Sequence, residues 1–371
     1  MKERPRILLL IPHLGGGGAE QVTLLLAQNL SAKKYDLHLG LVAQESACGR
    51  PVPPSVTVHA LGAPRVRSGV FALLRLIWRL RPDLVLSNMA HLNFLVLLLR
   101  PFFPPGAHIL IRQNSTVSSS LASGELPVWT PLMYRMLYGR ADRVICQSPA
   151  MAKDMRNKIG ISPQKLAVLP NPVDLEGLRT LAASAPNRWT GPGPHLLAVG
   201  RLSAQKGFDL LLQALALVKL RYPSADLTIA GAGPEEDALK AHCRALRIDA
   251  AVCFLGHVES PAEYFAGASL FVVSSRHEGL PNALLEAAAA GLPVAALPAS
   301  IGMVDLICDK PGVQVAREVS ASALAESLAA SLETLRPGER FCHDWINEFE
   351  LDHAIHRYEE LIDATLLENC A

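Results

Sequence analysis

The chain has 371 residues, half of them apolar and 19% charged, enough apolar side chains for two ordinary globular domains and no disordered excess. Seven cysteines, at 48, 146, 243, 253, 308, 342 and 370, show no C-x-x-C spacing and an odd count, which argues against a disulfide frame or zinc site and for reduced thiols in a cytoplasmic setting. The net charge of +1 conceals an asymmetry: residues 1–170 carry 20 Lys and Arg against 8 Asp and Glu, whereas 171–371 carry 15 against 26.

Such a split suits two domains that attract one another, or a basic domain seated on an anionic membrane or a phosphate-bearing lipid. A nucleic-acid partner is not expected, because no basic run is interleaved with aromatics. No stretch reaches transmembrane length; the longest candidate, 94–99, is halted by Arg100 and Pro101.

Residues 7–11 follow a basic start, but the apolar run ends too soon for a signal core and reads as a first strand. Next comes His13-Leu14-Gly15-Gly16-Gly17-Gly18-Ala19-Glu20, then a helical pattern over 22–30. Glycines between strand and helix let backbone N–H groups approach a phosphate or a sugar; a plain tight turn is the other reading, and G-x-G-x-x-G spacing is missing. Strands at 37–42, 82–87, 107–111 and 143–147 alternate with helical stretches, the βαβ rhythm of a parallel sheet.

Segment 65–81 sets Arg65, Arg67, Arg75, Arg79 and Arg81 among apolar residues. An interfacial helix on lipid headgroups and an ordinary sheet-covering helix with a solvated edge fit it equally. Around 92–103 and 126–137, Phe102, Phe103, Trp129, Met133 and Tyr134 read as core by default and as an acceptor groove on the sharper reading. His91 follows a strand and falls at a sheet's C-terminal rim, which makes it a catalytic candidate, although a lone histidine is more often structural. Arg112 and Asn114 also follow a strand, in reach of donor or acceptor oxygens.

The prolines of 168–174 stiffen the chain where a new domain begins, and 182–194 reads as a linker. A strand at 196–200 leads into Arg201-Leu202-Ser203-Ala204-Gln205-Lys206 and a helix from about 210 to 220. Two cations five residues apart, before a helix start, can close on a diphosphate: arginine offers a fork and lysine a mobile point charge. The bland alternative is two surface cations on a loop. Strand 227–230 ends in a turn containing Gly233, and 252–256 precedes His257 and Val258.

A buried strand at 270–273 runs into Ser274-Ser275-Arg276-His277-Glu278-Gly279-Leu280-Pro281-Asn282 and a short helix over 281–290, stopped by Gly291 and Pro293. Seven residues separate Glu278 in the turn from Glu286 on the helix. Around Glu286 at helical spacing stand Asn282, Ala283, Ala289 and Ala290, none a cation, so a buried carboxylate there needs donors, which ligand hydroxyls would supply. Free N–H groups near Gly279 and Leu280 suit an anion or sugar oxygens. A surface glutamate falling there by chance is the bland reading.

The phrase EGLPNALLEAAAAGLPV, with GGAE at 17–20, NPVD at 171–174 and AGAGP at 230–234, resembles the retaining nucleotide-sugar glycosyltransferases of family 4 and their E-x7-E motif. That resemblance implies an α/β fold of two Rossmann-like, doubly wound parallel-sheet domains facing across a cleft (GT-B). An acceptor-binding domain would span 1–180 and a nucleotide-sugar-binding domain 181–340, with 341–371 crossing back to the first. It implies that Glu278 contacts the donor sugar and acts in orientation and electrostatic stabilisation, and that Glu286 contacts the nucleotide ribose; Gly279, Leu280 and Asn282 are further substrate-binding candidates. Gly16, Gly17 and Gly18 would border donor phosphates and sugar, Gly233 would lie near the nucleotide, and the backbone around His257 and Val258 would hold the base. Arg201 and Lys206 would stabilise the leaving diphosphate in place of a metal; no D-x-D motif is present.

The implied reaction moves a sugar from a nucleoside-diphosphate sugar, UDP first, to a glycan or polyprenyl-diphosphate-linked acceptor in bacterial cell-surface polysaccharide or glycolipid assembly. It needs no cofactor or metal and runs in the cytoplasm, at the inner membrane face if the basic domain docks there. Loop 299–307 departs from the family wording, with one glycine and an Asp where a richer glycine turn and a Glu are usual. Competing readings are a sugar-nucleotide epimerase, a non-catalytic nucleotide-sugar binder, disfavoured by the full set of site residues, and a nicotinamide oxidoreductase, disfavoured by the missing fingerprint.

Overall fold

A computed structural model describes residues 4–15, 17–43, 51–118, 129–336 and 338–368. The chain divides into two compact units, Met1–Pro172 with Leu351–Ala371, and Val173–Glu350.

In the first unit the apolar runs form parallel strands β1 (Arg6–Ile11), β2 (Asp36–Ala43), β3 (Val56–Ala63), β4 (Leu84–Asn88), β5 (His108–Arg112), β6 (Arg143–Cys146) and β7 (Leu166–Val168), in the order β3-β2-β1-β4-β5-β6-β7. Both faces of the sheet are covered, so β1 is apolar at every position after Arg6. Its period of two sends Ile7, Leu9 and Ile11 into one core cluster and Leu8 and Leu10 into another. Each such side chain contributes about 1.5–3 kcal/mol by leaving water. The closing helix Leu351–Leu367 adds Ile355, Tyr358 and Ile362 to the cluster that holds Ile7. Tyr35 OH donates to Asp363 Oδ1 at 2.7 Å and Ser31 N–H to Glu359 Oε1 at 2.8 Å, fixing that helix.

The second unit repeats the plan with β8 (His195–Val199), β9 (Asp226–Ala230), β10 (Val252–Gly256), β11 (Leu270–Val273), β12 (Val294–Ala296) and β13 (Val313–Val315), in the order β10-β9-β8-β11-β12-β13. In each sheet the strand order reverses once, between β1 and β4 and between β8 and β11, where Ile7 pairs with Leu84 and Leu196 with Leu270. Parallel strands end on one rim, and ligands of open α/β sheets bind at such a reversal.

Three strands escaped the sequence reading, and each lies at or closes a sheet edge. β3 exposes alternate residues, and β7 and β13 have three residues each. The unit boundaries fall at 172/173 and 350/351 rather than 180/181 and 340/341. Packing explains both shifts: Leu175, Leu178 and Leu181, and likewise Ile346 and Phe349, sit in one cluster with Leu284 and Leu285. The helix expected over 281–290 runs Asn282–Ala289 with Pro281 as its N-cap.

Candidate functional site

The two loops singled out in the second half meet at the strand-order reversal of the second sheet. One leaves β8 and makes a tight turn, Ala204–Lys206, before the helix Phe208–Val218; the other leaves β11 and carries Glu278. Gly207 joins turn to helix at φ +61°, and a Cβ there would lie 2.2 Å from Ser274 O, so only glycine lets the loops approach this closely. Ser274 Oγ donates to Lys206 O at 2.8 Å across the contact.

Between the loops the Lys206 ammonium pairs with Glu278 Oε1, which also accepts from Ser275 Oγ at 2.8 Å. Glu278 is 7% exposed and its backbone N–H donates to Ala299 O at 3.1 Å, so backbone and side chain are each held, the side chain through Oε1. The stem of Lys206 runs along Gly200, where an added Cβ would meet its Cε at 3.1 Å. Arg201, by contrast, is exposed and makes no side-chain hydrogen bond or ion pair among the described residues. Fixed Lys206 and open Arg201 thus stand five positions apart on one rim. A small cavity lined by Lys206, Phe208, Ser274, Ser275, Pro281 and Leu284 lies beside the pair.

The other second-unit candidates follow strands of the same sheet. Gly279 and Leu280 are buried in the same turn, Asn282 opens the helix, and Glu286 is 7% exposed within it among Leu284, Leu285 and Ala287. Gly233 follows β9, where a Cβ would come within 2.3 Å of Leu202 O, so the glycine turn packs directly on the Arg201 loop. His257 and Val258 follow β10 on the same rim, at the sheet's edge.

In the first unit, Gly17 caps the helix Gly18–Asn29, and Glu20 folds back so that its Oε2 lies 2.5 Å from where a Gly17 Cβ would be. Gly16 lies outside the described residues. His91 stands in the first turn of the helix Ala90–Leu99 after β4, and desolvation together with nearby His13 holds its imidazole below the usual histidine range.

Arg112 departs from the expected substrate-facing role. It is 1% exposed, with Nε donating to Tyr358 OH at 3.2 Å and the two Nη atoms donating to Asn114 and Asn171. The closing helix covers it, turning a rim cation into an interior anchor. Asn114 in turn donates to Asn88 Oδ1 at 2.8 Å, and Asn88 Nδ2 to Ala19 O at 3.0 Å. Asn88, Ser275, Arg276 and Asp209 were not singled out from the sequence, since each is an unremarked polar residue until its distant partner is known. Among the described residues no cluster of His, Cys, Asp or Glu is arranged to hold a metal.

Two parallel-sheet α/β units, of seven and six strands, make a GT-B-like fold. The family description "Glycosyltransferase Family 4" matches residues 16–176 and "Glycosyl transferases group 1" matches 193–334. The chain belongs to these glycosyltransferases. It is 38% identical over 112 residues to an uncharacterized glycosyltransferase of Haemophilus influenzae, covering 30% of this chain and 32% of that protein. It is 26% identical over 314 residues to the N-acetylgalactosamine-N,N'-diacetylbacillosaminyl-diphospho-undecaprenol 4-alpha-N-acetylgalactosaminyltransferase of Campylobacter jejuni, covering 81% of this chain and 83% of that one. Anabaena Alr3699/HepE, solved with UDP and glucose, shares the fold at a TM-score of 0.77 and 17% identity, over 96% of this chain and 99% of that one.

Proposed function

We propose that this chain transfers a sugar, with retention at the anomeric carbon, from a UDP-sugar to a glycan or polyprenyl-diphosphate-linked acceptor during cell-surface polysaccharide or glycolipid assembly. The observation that carries the reading is the Lys206–Glu278 pair at the strand reversal with Arg201 open beside it. Lys206 and Arg201 offset the charge that grows on the diphosphate as the sugar C1–O bond breaks, the role metals fill elsewhere. Glu278, already held by Lys206 and Ser275, orients the sugar, and Glu286 accepts from the ribose. Two similar proteins favour this choice: one acts on a diphospho-undecaprenol acceptor and another was solved with UDP and glucose.

We infer further that the basic first unit works at the inner membrane face. No helix among the described residues is long and apolar enough to cross a membrane, so such contact would be peripheral.

The test incubates the protein with labelled UDP-sugars and a polyprenyl-diphosphate glycan, with a chelator present. Label in the lipid phase, and an α-linked product by anomeric NMR coupling from an α-linked donor, are expected. Arg201→Ala and Glu286→Gln should each lower transfer at least about tenfold. Full transfer by both variants, or no transfer from any donor, would overturn the assignment.

A further inference from the structure

The Glu278 loop contains one cation, Arg276, and it is tied to the opposite loop. Arg276 Nη1 and Nη2 donate to Asp209 Oδ1 and Oδ2 at 2.7 and 2.6 Å, a two-pronged fork, and Nη1 also donates to Ala204 O at 2.9 Å. Its backbone N–H donates to Gln205 O at 2.8 Å, and Gln205 Nε2 returns a bond to His277 O at 3.1 Å. With Ser274 Oγ on Lys206 O, these bonds tie residues 204, 205, 206 and 209 to 274, 276 and 277. Lys206 lies inside the first span so joined and Glu278 directly follows the second, yet no sheet ladder links the loops, and side chains supply most of the cross-bonds.

We propose that the Arg276–Asp209 fork is a positioning latch that sets the Lys206 ammonium against Glu278 before any ligand arrives; its functional consequence rests on the donor reading above. Three features favour this over a helix-end charge or an incidental surface pair. An incidental pair on exposed loops contributes little and is rarely bidentate, whereas this fork is bidentate and shares its arginine with a backbone carbonyl of the opposite loop. Asp209 does lie in the first turn of its helix, where any carboxylate is favoured, but that effect alone needs no arginine. Arg276 also sits two residues before Glu278 and Asp209 three after Lys206, so a shift of the fork moves both charges. Asp209 is held below the usual carboxylate range chiefly by its Arg276 hydrogen bond, so the fork stays charged through neutral pH.

A latch of this kind acts through preorganisation: a displacement of about 1 Å in a charged group facing a diphosphate costs up to about a hundredfold in function. Arg276→Lys keeps the charge but loses the fork, and Asp209→Asn keeps the shape but loses the charge.

The experiment uses the full chain with lysines dimethylated in 13C, the Lys206 resonance being assigned by its loss in Lys206→Arg. Wild type, Arg276→Lys, Asp209→Asn and their double variant are compared by that resonance, by calorimetric UDP binding and by thermal melting. Expected are a solvent-like Lys206 signal in every variant, UDP affinity lower by about tenfold in each single variant, and no further loss in the double, because both changes break one fork. An unmoved Lys206 resonance, or UDP affinity within about twofold of wild type, would overturn the latch. If wild type binds no UDP, the donor reading fails, and the resonance alone still decides whether the fork positions Lys206.

Discussion

Lys206 and Glu278, 72 positions apart, meet as an ion pair between two loops that share no strand ladder. The Glu278 side chain is mostly shielded and that of Lys206 is about one-fifth exposed, so neither charge is easily left alone. Glu278→Ala should cost the second unit about 1–3 kcal/mol, with a smaller added loss in the Lys206→Met/Glu278→Ala double variant than the single losses sum to. Urea unfolding followed by the fluorescence of Trp189 checks this; additive losses would show that the pair does not couple.

Two glycines separate the cost of space from the cost of backbone conformation. Gly256 has φ +70° with nothing within 4 Å of an added Cβ, whereas Gly207 at φ +61° would drive its Cβ into Ser274 O. Gly256→Ala should cost about 1–2 kcal/mol, the ordinary left-handed penalty. Gly207→Ala should cost at least about 3 kcal/mol and abolish UDP binding, because the clash is with backbone that cannot step aside. Equal melting shifts for the two variants would contradict the close approach.

The closing helix gives the first unit an alkaline weakness. Burial, then the hydrogen bond to Asp363, raises the Tyr35 hydroxyl above its ordinary value, and the Asp363 hydrogen bond raises the Lys34 ammonium above its own. Groups whose folded pKa exceeds the unfolded one give stability that is complete below the unfolded value and lost as pH rises through the folded one. Stability should therefore hold to about pH 10 and fall beyond it, as the unfolded chain gains from releasing protons that the folded chain keeps. Denaturant midpoints from about pH 8 to about pH 11 should decline less steeply in Tyr35→Phe than in wild type; parallel curves would place the loss elsewhere.

Much of this was legible in the sequence because the signals are local. Continuous apolar runs such as Leu8 to Ile11 need a sheet buried on both faces, and Lys206 and Glu278 each sit in a strand-to-helix turn that the topology places on one rim. Less local facts were hidden. Arg112 looks like a rim cation until a helix more than two hundred residues later covers it with Tyr358. Asp209 reads as a routine first-turn acid until Arg276, 67 positions on, grips both its oxygens. β3 was missed because an edge strand buries only part of one face, so Thr57, Val58 and His59 carry no continuous apolar signal.

The first unit presents aromatic side chains to solvent beside arginines, which favours the lipid-facing reading of segment 65–81 and gives a prediction that tests it. On the helix Val70–Leu80, Leu73, Leu76 and Ile77 face the core, while Phe71 is 85% and Trp78 50% exposed, on the same side as Arg75 and Arg79. Trp78 Nε1 donates to the carbonyl of Phe102, itself 61% exposed, which joins the aromatics into one patch. Between residues 64 and 141 the sequence has nine arginines and two acids. Indole and phenyl rings favour the headgroup boundary, and each nearby arginine adds about 1 kcal/mol on an anionic surface. The chain should therefore co-sediment with vesicles containing about one-third anionic lipid and not with zwitterionic ones. Phe71→Ser/Trp78→Ser should weaken that binding at every salt concentration, because it removes apolar insertion. Arg75→Gln/Arg79→Gln should weaken it about tenfold or more at low salt and less at high salt, where the surface charge is screened. Wild-type binding that is blind to lipid charge, or unchanged in both double variants, would return the helix to a plain sheet cover.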